Sequence, residues 1–221
     1  MKKQLIIFGA AEQAEICNFY FEKDSNYQVR SFVVDDELMD ATTFAKLPIV
    51  AWSEATKHYP SDKFECFVAL GYTKVNKVRR AIFEKVKAAG YSCPSYVSSK
   101  AVVLNNNEIG ENCLILENNT IQPFVQIGSN TTIWSGNHIG HHSRIGNSVF
   151  ITSHVVISGG VCVGDEAFLG VNATIRDHIS IGQGSVIGAG ALVMKSTDPY
   201  SVYVPKSTEP RGISSHQIGK I

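Results

Sequence analysis

The sequence predicts two differently built parts, a small α/β unit with a parallel sheet and then a parallel β-helix. Three observations carry this. An aliphatic residue recurs at every sixth position from Ile109 to Val193 without interruption. An aliphatic-Gly pair recurs at every eighteenth, in Ile109-Gly110, Ile127-Gly128, Ile145-Gly146, Val163-Gly164 and Ile181-Gly182. Charge also divides the chain: residues 1–96 hold thirteen bases and twelve acids, and the longer remainder only seven and eight.

In the first part, Gln4 to Phe8 reads as a buried strand, Gly9 as a turn, and Ala11 to Glu22 as a helix with apolar positions at helical spacing. Val29 to Val34 is a second strand, ending in Asp35-Asp36. Cys66 to Leu70 is a third, running into Gly71 and a basic amphipathic helix from about Val75 to Ala89. Strand, Gly, helix, strand and acid in this order open a doubly wound nucleotide-binding unit, whose ligands sit at the carboxyl ends of the strands. The glycine pattern departs from G-x-G-x-x-G: the chain has Gly9-Ala10-Ala11-Glu12-Gln13-Ala14, which gives poor support for close approach of a pyrophosphate.

In the second part, a period of six fits neither a helix nor simple strand alternation. It fits coils of three short strands, with every sixth side chain pointing to the axis and successive coils stacked as parallel strands, roughly 4.8 Å apart. Val103 and Val97 continue the phase backwards, and Asn105 to Asn107 suggest a looser first coil. The outward positions are mixed and lack the regular Thr ladders of an ice-binding surface.

Residues eighteen apart stack directly. One coil beyond His141 is Gly159, one beyond His142 is Gly160, and Asp177 and His178 follow. Two glycines over two imidazoles would expose backbone N–H groups beside a candidate base, as acyl transfer requires. A metal is the rival reading. His142 and His178 stand two coils, about 10 Å, apart; His138 with His141 or His142 is allowed by spacing, but no Cys or carboxylate stands in ligand register. Proton abstraction near neutral pH suits imidazole, so no metal is expected.

The run Asn137-His138-Ile139-Gly140-His141-His142-Ser143-Arg144-Ile145-Gly146, within hexads covering roughly 97–197, resembles the hexapeptide-repeat sugar acetyltransferases related to sialic acid O-acetyltransferase and bacillosamine N-acetyltransferase. The resemblance implies a left-handed parallel β-helix behind a truncated Rossmann-like domain, with boundaries at 1–96, 97–197 and a 198–221 tail. It implies His141 as catalytic base. The next position is usually acidic and here is His142, so the catalytic pair is His141 and His142, and the group orienting His141 stays open between Asp177 and Glu117.

The same resemblance implies coenzyme contacts from Gly159, with Gly160 beside it, to the acetyl carbonyl and from Ala189 to the pantetheine arm. Lys195 is either near the coenzyme phosphates or a solvated charge. It places the sugar's UDP or dTDP in the first domain, against Asp35 and Asp36, with Gly9 and the Leu70-Gly71-Tyr72 turn on the same rim and His138 on the substrate side. A polar turn is the alternative reading of Asp35-Asp36. The implied activity is transfer from acetyl-CoA to an amine of a nucleotide-linked amino sugar in surface-polysaccharide (O-antigen) assembly, by a homotrimer with active sites between subunits. O-acetylation of a sugar such as sialic acid, and a non-catalytic binding or assembly module, are the alternatives.

Composition excludes other classes. Twenty bases balance twenty acids, so nothing drives the chain toward nucleic acid or anionic membrane. Five cysteines without a C-x-x-C pair read as reduced and buried. The start lacks a leader-like stretch and no apolar run reaches membrane length, so the expectation is a cytoplasmic protein without membrane insertion.

Overall fold

The computed structural model describes residues 2–104, 107–210, 212–217 and 219. Its first part runs β1 (Lys3–Phe8), α1 (Glu12–Lys23), β2 (Tyr27–Val34), β3 (Thr43–Phe44), β4 (Leu47–Ala51), α2 (Trp52–His58), β5 (Glu65–Val68) and α3 (Lys77–Ala88). The strands form one sheet in the order β3-β4-β2-β1-β5, parallel except for β3. Side-chain alternation splits its two faces. Leu5, Ile7, Phe32 and Phe67 pack against Ala14, Cys17 and Phe21 of α1; Ile6, Phe8, Val33 and Cys66 pack against Ala55 of α2 and Val86 of α3. The β3-β4-α2 segment is absent from the sequence reading, because Pro48 and short polar runs give it no clear period.

The second part is a left-handed parallel β-helix. Two-residue strands from Tyr96–Val97 to Leu192–Val193 form three parallel faces, each strand pairing with the one eighteen residues on. The every-sixth aliphatics fill the axis: Ile115, Ile121, Ile133, Ile139, Ile151, Ile157, Leu169, Ile175 and Ile187 are fully buried. Every sixth residue from Asn112 to Gly190 takes positive φ at a corner, the conformation that Gly tolerates best and Asn and His better than most. The segment read as a tail adds a further rung, Val202–Tyr203 on Val186–Ile187. Asn105 and Asn106 of the looser first coil lie outside the described residues, while Asn107 accepts the Val125 N–H at 2.9 Å.

The three faces differ in what covers them. One presents Tyr96, Leu114, Thr132, Phe150 and Phe168 outward, and the first part lies on it. Tyr96 and Leu114 join the α1 core, and Tyr72 meets Phe150 and Phe168 with ring centroids 5.0 and 4.8 Å away. Arg79 of α3, 1% exposed, donates to the carbonyls of Asn130, Ser148 and Val149 and to Asn76 Oδ1. Asn112 accepts the Val68 N–H and donates to its carbonyl, closing the edge of β5. The second face presents Thr120, His138, Val156, Thr174 and Leu192; the third presents Glu108, Gln126, Arg144, Cys162 and Ser180. Cys162 is therefore exposed, which corrects its reading as buried; Cys17, Cys66, Cys93 and Cys113 are buried thiols.

Candidate active site

His141 and His142 occupy the corner joining the second and third faces, across the prism from the first part. The His141 N–H donates to Gln122 Oε1 at 2.9 Å, fixing the loop to the preceding coil. Its ring lies over Gly159, where a methyl group would stand 2.7 Å from both Cε1 and Nε2. A side chain at 159 would displace the imidazole, so the glycine is a condition of its placement. Among the described residues the Gly159 N–H donates to nothing, which leaves a backbone donor free beside an imidazole.

The second half of the stack is corrected. His142 does not lie over Gly160: its ring packs on Phe124, one coil earlier, with centroids 4.8 Å apart. The space at Gly160 is taken by His178, whose Nδ1 would be 2.5 Å from an added methyl. The cause is the corner conformation. His142, His154 and His178 have φ of 58, 60 and 55°, and their side chains lean back toward the preceding coil, onto Phe124, Gly136 and Gly160. His141, one residue earlier, leans forward.

Neither partner left open for His141 is in reach. Glu117 lies at a different corner, accepting from Tyr20 Oη at 2.7 Å and Ser135 Oγ at 2.8 Å. Asp177 is two coils away and faces Arg176 Nε at 3.7 Å. The group that touches His141 is His142, Nδ1 to Nδ1 at 3.1 Å. Among the described residues no three His, Cys, Asp or Glu side chains are gathered to hold a metal ion.

The remaining residues fall in three places. His138 faces outward in the same coil, beside Thr120 and Val156. Lys195 is exposed in the His141-Gly159-Asp177 column, and Ala189 sits at another corner, where its N is 2.5 Å from a methyl placed at Gly170. Gly9 and Asp35 line a cleft of about 410 Å³ at the carboxyl ends of β1 and β2, with Ala10, Ala11, Glu37, Leu38, Asp40, Leu70, Val78 and Ile82. Gly9 has φ +124° and passes so close to the Ala69 carbonyl that a methyl would lie 2.8 Å from it. That packing explains the glycine without a ligand.

Asp35 forms an ion pair with Lys85, itself over the Trp52 ring at 5.1 Å. Asp36 turns away from the cleft to Ser53 at the start of α2, whose hydroxyl and N–H hold its carboxyl below the usual carboxylate range. Gly71 has open space around it, and Tyr72 leaves the rim for the prism. The structure thus brings together His141, His142 and Gly159, and separately Gly9 and Asp35. Sequence reasoning missed Gln122 and Phe124, although both stand one coil before the histidines, and the cleft's Leu38, Val78 and Ile82.

The site is thus an imidazole over a glycine on one edge of a left-handed β-helix, with a parallel α/β sheet on the opposite face. The sequence profile described as bacterial transferase hexapeptide (six repeats) matches residues 106–141 and 124–159, and that of the hexapeptide repeat of succinyl-transferase matches 160–195. The fold is shared with PerB from Caulobacter crescentus, crystallised with CoA and GDP-perosamine: TM-score 0.81, 24% identity, 90% of this chain and 92% of that one. It is shared with the acetyltransferase domain of PglB from Neisseria gonorrhoeae at 0.78, 20%, 88% and 93%. WeeI from Acinetobacter baumannii gives 0.78, 22%, 91% and 96%. A search of curated protein sequences returns no match.

Proposed function

We propose that the chain is an acetyl-CoA-dependent N-acetyltransferase acting on an amino sugar linked to a nucleoside diphosphate, in the assembly of surface polysaccharide. The observation that carries this is the His141 imidazole set over Gly159 with an unbonded backbone N–H beside it. Acetyl-CoA, the co-substrate, supplies an activated acetyl group. His141 takes a proton from the attacking amine at Nε2 as the C–N bond forms, and returns it to the coenzyme sulfur as the C–S bond breaks and the free thiol leaves. The Gly159 N–H meets the negative charge that develops on the carbonyl oxygen, a role typically worth two to three orders of magnitude (~10²–10³) in rate. Lys195 continues the coenzyme path along the His141 edge, Ala189, at another corner, joins it only from a neighbouring copy, and His138 flanks the acceptor.

The nucleotide is assigned to the cleft at Gly9 and Asp35. That cleft belongs to the part covering one face of the prism, whereas His141 stands on the opposite edge. A single copy does not bring the two together, so the reading includes a homotrimer in which the cleft of one copy serves the His141 edge of the next. Sedimentation at micromolar concentration is expected to give three chains, and a monomer would count against the shared site. Among the described residues no helix is long and apolar enough to cross a membrane; the reading takes the enzyme to be cytoplasmic.

The experiment is a pair of proteins, His141→Ala and His141→Asn, followed by thiol release with acetyl-CoA and a matched amino sugar; near-normal turnover in either refutes the base. Thermal shift with acetyl-CoA, UDP, dTDP and GDP selects the substrate class, because a ligand at 100 times its Kd stabilises by about 2.7 kcal/mol. GDP joins the set because PerB was crystallised with GDP-perosamine. Stabilisation by the coenzyme and by no nucleotide would favour O-acetylation of a free sugar. That second reading has one observation behind it, the acids Glu12 and Glu15 in the first turn of α1, which oppose a diphosphate there.

A further inference from the structure

His141 and His142 meet nitrogen to nitrogen, with Nδ1 3.1 Å from Nδ1. A hydrogen bond at that distance contains one proton, so one ring donates and the other accepts; two N–H groups or two bare lone pairs facing each other would repel. We propose that His142 is the positioning residue of the site: a neutral acceptor that holds the proton of His141 on Nδ1 and so keeps Nε2 bare over Gly159. This rests on the reading of His141 as base, and it concerns the tautomer on which that reading depends.

Three features hold His142 in place beside His141. Its N–H donates to the Pro123 carbonyl at 3.2 Å, its backbone occupies the left-handed corner at φ 58°, and its ring is stacked on Phe124. The surroundings provide no substitute. Among the described residues neither imidazole lies within 4.0 Å of a carboxylate. On the preceding coil the pair meets Gln122 and Phe124, which do not titrate; on the following coil it meets Gly159 and Gly160, with His178 leaning onto Gly160. Among the described residues the titratable group in contact with each ring is the other ring.

A carboxylate in the position of His142 would accept the same proton, but the imidazole behaves differently when a further proton arrives. Placed on His141 Nε2, that proton occupies the base directly. Placed on His142 Nδ1, it turns the acceptor into a donor, and His141 must then present a bare Nδ1 and carry its own proton on Nε2. Both routes silence the base, so the pair has a single active form, the one in which both rings are neutral. A carboxylate beside His141 would instead favour the imidazolium and move the acid limb of the rate profile upward.

The test combines a spectroscopic and a kinetic measurement on the full-length protein and on His142→Phe and His142→Glu. Phenylalanine is accommodated at this corner, since Phe124 holds the equivalent one at φ 65°. ¹⁵N NMR of the neutral imidazoles is expected to show His141 protonated at Nδ1 in the parent. In His142→Phe it should revert to the Nε2–H form that free imidazole prefers. Turnover in His142→Phe should then fall roughly tenfold, with the competent tautomer population, while KM for acetyl-CoA stays unchanged. In His142→Glu the acid limb of kcat/KM should rise by about one pH unit. A parent spectrum with His141 protonated at Nε2, or the same tautomer in His142→Phe, overturns the proposal. If the tautomer is as expected but no acetyl acceptor is turned over, positioning stands and the functional reading fails.

Discussion

A methyl group at Gly159 is a selective perturbation. It would stand 2.7 Å from Cε1 and Nε2 and 3.2 Å from Nδ1 of His141, against an ordinary separation of about 3.5–4.0 Å. The ring must therefore retreat by about 1 Å. His141 is an exposed side chain and can retreat, so Gly159→Ala should leave the melting temperature within a few degrees of the parent. A misplacement of about 1 Å at a reacting group costs on the order of 10²-fold, and that is the expected loss in kcat by thiol release. Gly140→Ala is the matched contrast. Its methyl would meet backbone, Gly159 N and the Ser158 carbonyl carbon at 2.5 Å, which cannot turn aside. Overpacking of that kind costs about 1–3 kcal/mol and should appear in the melting temperature. Half or more of parental turnover in Gly159→Ala would refute the claim that the imidazole over this glycine does the chemistry.

Two further outcomes follow from the docking of the two parts and a third from the cleft of the first part. Arg79→Met strips donors from the buried carbonyls of Asn130, Ser148 and Val149; at about 1–3 kcal/mol for each group left unpaired, the urea midpoint should fall well below the parent, and an unchanged midpoint would show that water replaces the guanidinium. Asp24 accepts the Ser99 N–H at 2.8 Å and the Tyr96 hydroxyl at 2.7 Å, bonds that hold its carboxyl below the usual range. A lowered folded-state pKa stabilises the fold above the unfolded value, and this is lost as pH falls below about 4; Asp24→Asn should flatten the acid limb of the stability profile measured by circular dichroism. Lys85→Met removes the partner of Asp35 and the cation over Trp52, and should change the nucleotide-induced thermal shift while leaving that of acetyl-CoA intact.

The prism was legible because its period is enforced by geometry. A residue on the axis is buried in every coil, so Ile109 to Val193 repeat without a gap. Two further period-eighteen signals were present: the aromatic pair Phe150 and Phe168, against the column Glu108, Gln126, Arg144, Cys162 and Ser180, polar except at Cys162, marks the face on which the first part docks. The column rule also placed His141 over Gly159. It failed for His142 over Gly160 because stacking order fixes which backbone lies above which, whereas the left-handed corner decides which way a side chain leans. Asp36 was legible as an acid after a strand and not as a partner of Ser53, since α2 has no sequence signature that would bring its first turn to that strand end.

An unbroken eighteen-residue period gives the prism edge a discrete metric. Groups on one edge stand apart by whole coils, roughly 4.8 Å each, and no loop in the described repeat adjusts that spacing. Duplicating residues 160–177 would move Lys195 one increment from His141 while preserving every local angle between them. The length of ligand that this edge can span is thus set by counting, and a change in that length would come by adding or deleting whole turns of the chain.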